Sequence, residues 1–462
     1  MTPARRLQQS FGDGLIRDEI EDLWEPWMRH ADEIIQDDGL IEIVEQALNQ
    51  RCKKSKTRGR TGTPAEVVLR LLILKHIRDW SFEETAREVR ANLVYREFTR
   101  IGAGTVPDDK SISRFARALG PDVVDKLHQR IVAIAQERKV VHGRKLRVDT
   151  TVVESNIHYP TDSTLLNDGV RVLTRVMKKA AEVAGAVTTE VRDRTRSVKR
   201  RILEIARASR DKSERGQQRL KTAYGKLLET TGRVVGQAKK VSQELTNKRR
   251  NVLRRAKKQL DEMTPRVQQV MRQARQRVLG GDTRAEGKIV SVFEPDTEII
   301  RKGKAGKPTE FGKLVKIQEA ENQIVTHYEV YDQRPSDSDL LTPSIEQHIA
   351  QFAHAPEVAA ADAGFFSGAN EASAQRLGVK RVAVPSQSTK SVERKRTQKK
   401  RWFKKAQAWR TGCEGRISVL KRRHGVRRSR YKGTEGMRRF VGLGVIADNL
   451  INIGRVLSSN QL

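Results

Sequence analysis

Two short apolar runs in this chain each deliver a single acid, and that arrangement restricts the fold more than any other feature. In Leu146-Arg147-Val148-Asp149-Thr150-Thr151-Val152-Val153-Glu154, Leu146 and Val148 alternate with polar neighbours before Val152 and Val153. Such alternation predicts a half-buried β-strand that holds Asp149 at a fixed height. Val358-Ala359-Ala360-Ala361-Asp362-Ala363-Gly364 is a second apolar run, closed by Asp362 and a glycine that permits a turn. A third acid, Glu414, lies where Trp409, Ile417 and Leu420 recur at roughly helical spacing, so a helix is expected to carry it. Each acid alone reads more simply as a cap or a surface ion pair. Three carboxylates from separate elements, taken together, suit two hard divalent cations ~3.5 to 4 Å apart, an arrangement that activates water and stabilises the leaving oxygen in phosphodiester chemistry.

The residues around these acids resemble the catalytic blocks of bacterial insertion-sequence transposases of the DDE type. Asp149 to Glu154, continued by Ile157-His158-Tyr159-Pro160-Thr161-Asp162-Ser163, resembles the first block, and Asp362-Ala363-Gly364-Phe365-Phe366-Ser367 the second. Glu414 to Gly425, continuing to Tyr431-Lys432-Gly433, resembles the third. Relatives carry an Arg four positions before the Glu and a Lys seven after it; Arg410 and Lys421 fit both. Their Tyr three before that Arg is Gln407 here, which leaves its role unassigned. The Lys302 to Gly312 stretch is similar to the family as well.

The resemblance implies an α/β fold: a ribonuclease-H-like mixed sheet with flanking helices, Asp149 on the first strand, Asp362 on the fourth and Glu414 on a later helix. It implies that these three are catalytic and bind two Mg²⁺ (or Mn²⁺) ions. The implied substrates are double-stranded DNA, namely terminal inverted repeats and target DNA, cleaved and joined by a homodimer that synapses two ends in the bacterial cytoplasm. Two alternatives remain at this level: a ribonuclease-H-like nuclease without strand transfer, and a non-catalytic DNA-binding descendant of a transposase. Glu154 and Asp162 are weaker acidic candidates, read as structural.

Charge agrees with a polyanionic partner. Lys and Arg number 91 against 57 Asp and Glu, a net charge of +34, and each neutralised phosphate releases counterions and strengthens binding. Ribosomal and membrane-surface proteins share this balance. Two cysteines, Cys52 and Cys413, exclude a disulfide framework and a cysteine-rich zinc site. No apolar run reads as a membrane span and no small-molecule substrate is suggested.

At 462 residues two or three domains are expected. Residues 1–60 form a helical segment without an assigned role, and 61–142 a helical domain. Thr63-Pro64-Ala65-Glu66 and Ser81-Phe82-Glu83-Glu84 both read as capping boxes, and a third helix starts near Pro107-Asp108-Asp109. Short capped helices match the helix-turn-helix pattern, which also occurs as a plain bundle. The resemblance assigns this segment to terminal-repeat recognition. Arg87, Arg90, Arg96, Lys110 and Arg114 are candidate DNA contacts.

The catalytic domain is expected over 143–164 and 284–455. Between its halves, 165–283 reads as long basic helices, an antiparallel pair broken near Pro265, serving as a DNA-gripping or dimerising arm or as a solvated spacer. Ile289 to Phe293, Lys313 to Ile317, Ile324 to Val330 and Val382 to Pro385 read as strands. The basic stretch from Ser391 to Lys405 with Trp402, Phe403 and Trp409 fits either stacking on DNA ends or a helix with its aromatics in the core. Arg410, Lys421 and Arg422 complete the candidate DNA contacts.

Overall fold

A computed structural model describes residues 2–6, 14, 19–50, 62–183, 185–301, 309–387 and 389–459. Cys52 and the Lys302 to Lys307 part of the family-like loop lie outside the described residues. The chain is mixed α/β and divides into two compact units, 1–155 with 313–462, and 156–312. The inserted unit therefore starts before and ends after the 165–283 span expected from composition.

The first unit opens with helices α1 (Pro26–Ile35), α2 (Asp38–Gln50), α3 (Ala65–Ile77), α4 (Phe82–Ala91), α5 (Leu93–Phe98), α6 (Asp109–Ala118) and α7 (Pro121–Glu137), followed by strand β1 (Lys145–Glu154). Every residue of α3 is buried. At its start the Thr63 capping box is not formed: Pro64 is the N-cap and makes no side-chain cap bond. The free N–H groups of Ala65 and Glu66 donate instead to the carbonyls of Pro3 and Ala4 at 2.9 and 3.0 Å, and Glu66 turns to Arg70 at 2.9 Å. The Ser81 box does form, with Ser81 N donating to Glu84 at 2.7 Å and Glu84 N to Ser81 at 3.0 Å. Ser81→Ala is expected to cost about 1 kcal/mol of unfolding free energy, read by denaturant titration. An unchanged midpoint would mean that the first turn of α4 is held from elsewhere.

The second unit holds α8 (Asp162–Ala181), α9 (Thr195–Ala208), α10 (Glu214–Glu244), α11 (Asn251–Val278) and the short strand β2 (Glu298–Arg301). Four helices, not two, share one core of Leu166, Val170, Leu227, Val234, Leu260 and Val267 among others. Pro265 lies inside α11 without ending it. It is exposed, and the apolar stripe Leu260, Met263, Val267, Val270 stays in the core on either side, so packing carries the helix past the missing N–H. The expected strand at Ile289 to Phe293 is irregular chain. Gln273 on α11 takes both the N–H and the carbonyl of Ile289, at 3.1 and 3.0 Å, and Ser291 Oγ accepts the N–H groups of Phe293 and Glu294 at 3.1 Å each. With those groups spent on a helix and a turn, no ladder forms.

Strand β3 (Thr309–Glu319) begins in the second unit, where its first four residues pair with β2, and continues in the first; there follow β4 (Val325–Val330), α12 (Leu341–Phe352), β5 (Val358–Ala361), α13 (Gly368–Arg376), β6 (Arg381–Ala383), α14 (Val392–Lys399), α15 (Arg401–Arg423) and α16 (Gly433–Ser459). The sheet runs β4, β3, β1, β5, β6, with β1, β5 and β6 parallel and β3 and β4 antiparallel. Helix α16 is long and apolar enough to cross a membrane, with mean hydropathy 1.4, yet 78% of that stretch is buried inside the fold. Leu443, Ile446, Leu450 and Ile453 join Leu71, Val89, Ile112 and Ile131 in one core. Residues 61–142 are thus packed into the compact unit that holds the sheet. Asn449 of α16 also takes the N–H and carbonyl of Val325 at 2.9 and 2.8 Å.

Candidate active site

Register places the first two acids. Strands β1 and β5 pair in parallel with Lys145 opposite Val358 and Val148 opposite Ala361, an offset of 213 positions. Asp149 and Asp362 are separated by the same 213 positions, so they follow at the same level on neighbouring strands, whose axes lie ~4.8 Å apart. Asp149 is half-buried and Asp362 exposed. Asp362 caps the short turn after β5, accepting the Ala363 N–H at 2.6 Å, and Asp149 accepts the Thr150 N–H at 2.7 Å.

Helix α15 lies against β1, β5 and β6. Phe403 and Ala406 pack on Ala360 and Ala383, and buried Arg416 donates to Asp448 of α16 at 2.7 Å. Gln407 donates to the carbonyls of Ala361 and Ala383, so the residue that replaces the family's Tyr ties the helix to the strand end that carries Asp362. Gly412 permits the close approach: a Cβ there would meet the guanidinium carbon of Arg147 at 3.1 Å. Residues 407, 410 and 414 share one helix face. From it Arg410 reaches Asp149 at 3.7 Å and Glu414 at 3.0 Å.

One guanidinium therefore bridges the first and third acids. Among the described residues, no three acids, histidines or cysteines come together as a metal-binding group. Asp149 and Asp362 are hard oxygen donors at one level and fit a divalent cation, while Glu414, its side chain 59% exposed, is held by Arg410.

Other expected residues have different placements. Glu154 ends β1 about 17 Å further along the strand and accepts from Arg428 at 2.9 Å. Asp162 is paired with Arg277 at 2.6 Å and Gln273 at 3.0 Å inside the second unit. Trp409 is half-buried, with the Arg147 and Lys145 cations over its ring at 4.7 and 5.8 Å. Trp402 packs beside Phe403 under Arg381. Both indoles serve the helix–sheet contact.

Arg96 spends its guanidinium on the carbonyls of Gly102 and Gly104 at 2.7 Å each, and Arg114 bonds Ser111 at 2.7 Å. Arg87 pairs with Glu88 at 2.8 Å, whereas Arg90, Lys110 and Arg422 are exposed. Lys421 is half-buried on the last turns of α15.

Sequence reasoning missed Asp337. Its carboxylate accepts the Thr150 hydroxyl at 3.1 Å, and a Cβ on Gly364 would lie 3.4 Å from it, so it lies beside the residue that follows Asp149 and near the turn that follows Asp362. In the polar run Ser336-Asp337-Ser338-Asp339 it reads as an ordinary pre-helix acid; only the fold joins it to the strand ends.

Residues 26–118 match a family described as a transposase domain (DUF772), and residues 371–453 match a transposase DDE domain family. The second match contains Glu414; Asp149 and Asp362 lie outside both. No curated protein and no solved structure matches the chain significantly.

Proposed function

For a chain whose two matched domains make it an insertion-sequence transposase of the DDE type, we propose that the sheet is ribonuclease-H-like and that Asp149, Asp362 and Glu414 are the catalytic acids. The observation that carries this reading is the shared level of Asp149 and Asp362 on the adjacent first and fourth strands of the first unit's sheet. Two Mg²⁺ or Mn²⁺ ions held there would supply a water of lowered pKa and charge neutralisation at the leaving oxygen. The residues that would hold them are Asp149 and Asp362, joined by Glu414.

The chain's own groups do the rest. Arg410 is a positioning residue that keeps Glu414 on the sheet side of α15, and Gln407 fixes the height of that helix on β5 and β6. Lys421 and Arg422, seven and eight positions past Glu414 on the same helix, would contact phosphates beside the cut. The helices of residues 61–142 would bind the terminal inverted repeats, with Arg87 and Arg90 on the exposed face of α4, and two copies would bring two ends together.

The direct test is nicking of a duplex that carries the element's flanking terminal repeats. Cleavage is expected with Mg²⁺ and none after chelation; cleavage that persists in chelator would overturn the metal-dependent site. Arg410→Gln is expected to slow nicking by roughly 10- to 100-fold and to raise the Mg²⁺ concentration needed, as loss of an orienting partner does elsewhere. A rate equal to wild type would show that Glu414 needs no such partner.

A further inference from the structure

The inserted helical unit lies wholly between the two family matches, and neither assigns it a role. Between Asn156 and Gly312 the chain carries 37 Lys and Arg against 18 Asp and Glu, so more than half of the net +34 sits in about a third of the length. At the turn between α10 and α11 that charge is concentrated in one short stretch.

Lys248, Arg249, Arg250, Arg254, Arg255, Lys257 and Lys258 fall within eleven positions. The two acids within reach are already engaged: Asp261 bonds Lys257 at 2.7 Å and Ser242 at 2.5 Å, and Glu262 lies 3.9 Å from Lys258. Arg249, Arg250, Arg254 and Arg255 are exposed, and among the described residues none of their guanidinium groups has a hydrogen-bonding or ion-pair partner. Five of the seven cations, Lys248, Arg249, Arg254, Lys257 and Lys258, line a cleft of about 680 Å³ together with Leu245, Asn247 and the two engaged acids Asp261 and Glu262.

The local cost argues against a purely structural purpose. Helix α11 begins at Asn251 with no side-chain cap bond and no acid in its first turn. Cations at a helix N-terminus oppose the macrodipole, so the arginines there weaken the helix they sit on. Arg-rich spacing suits bidentate capture of phosphate oxygens.

We infer that the turn from Leu245 to Lys258 is a sequence-independent clamp for the phosphate backbone of duplex DNA. The choice of DNA over another polyanion rests on the function proposed above. The test reads binding instead of cleavage, so a failed active-site assignment leaves it intact and the two failures are distinguishable.

The probe is a labelled duplex of arbitrary sequence lacking the terminal repeats, bound to the full chain and followed by anisotropy between about 50 and 200 mM salt. The fourfold variant R249A/R250A/R254A/R255A should bind at least ~10-fold more weakly at the lower salt, with the slope of log affinity against log salt reduced by about 3 to 4. Preference for the terminal repeats over arbitrary DNA should be unchanged. A control that removes equal charge from the same unit, K199A/R200A/K212A/K221A, should alter the slope by less than about 1.

Equal losses in the two variants would mean diffuse attraction and overturn the clamp. So would unchanged binding in the fourfold variant, including the case where sedimentation shows that a dimer has been lost instead. If the fourfold variant does not fold, R254E carries the same test, with a slope change of about 1 expected and none overturning the assignment.

Discussion

Asp149→Asn is expected to reduce Mg²⁺-dependent nicking of terminal-repeat DNA by about 10³-fold or more while leaving duplex affinity near wild type. Losing an outer partner of a metal ligand costs roughly 10- to 100-fold, and a ligand that both holds the ion and shapes its water should cost more. Asp362→Asn should match it, because the two carboxylates sit at one level of adjacent strands. Glu154 is spent on Arg428. Asp337 is another acid beside this strand end, accepting the Thr150 hydroxyl at 3.1 Å. Cleavage surviving in Asp149→Asn but lost in Asp337→Asn would move the site to that carboxylate.

Arg147→Met should be the most destabilising single change in the sheet. Arg147 is 4% exposed and Glu319 fully buried, and the two form an ion pair while Arg147 also donates to the Trp409 carbonyl and covers its ring. Breaking a buried pair from one side leaves an uncompensated charge and costs about 3 to 5 kcal/mol. Burial already pushes the Glu319 carboxyl up, against the pull of Arg147, and the variant loses that pull. Its folded state then keeps the Glu319 proton to higher pH than the unfolded chain, whose carboxyl titrates near 4.5. Stability of the variant therefore falls as pH rises above about 4.5, and the deficit against wild type should narrow in acid. The double variant Arg147→Met/Glu319→Gln should recover part of the loss at neutral pH. A single variant as stable as wild type at pH 7, by denaturant titration, would show that the pair contributes nothing.

What the sequence made legible were features settled by near neighbours. Alternation around Asp149, the alanine run before Asp362 and the Ser81 box each depend on residues within a few positions, and each formed as expected. Glu414 was likewise expected on a helix. The failures depend on distant partners. The Thr63 box is absent because Pro3 and Ala4, some sixty positions away, supply the acceptors. Ile289 to Phe293 has strand-like residues but surrenders its backbone groups to Gln273 and Ser291. Pro265 stays helical because a four-helix core holds both sides of it. Trp402 and Trp409 could face either way along a basic helix until the sheet beneath them was known.

The site divides along the same line. The separation of Asp149 from Asp362 was visible as a number, but it acquires meaning only when it equals the register offset of β1 and β5. Arg410 was picked out by its spacing from Glu414; that it also reaches Asp149 follows from the docking of α15, which Gln407 and Gly412 permit. Asp337 had no sequence signal of its own.

Strand joining tests the central claim most directly. A pre-cut duplex ending in the terminal repeat, with a free and labelled 3′ hydroxyl end, is incubated with the full chain, Mg²⁺ and a supercoiled plasmid. Label covalently attached to plasmid DNA is expected, dependent on Mg²⁺ and absent with Asp149→Asn. Nicked plasmid and hydrolysed ends without any joined product would contradict it and make the chain a nuclease that cuts without transfer.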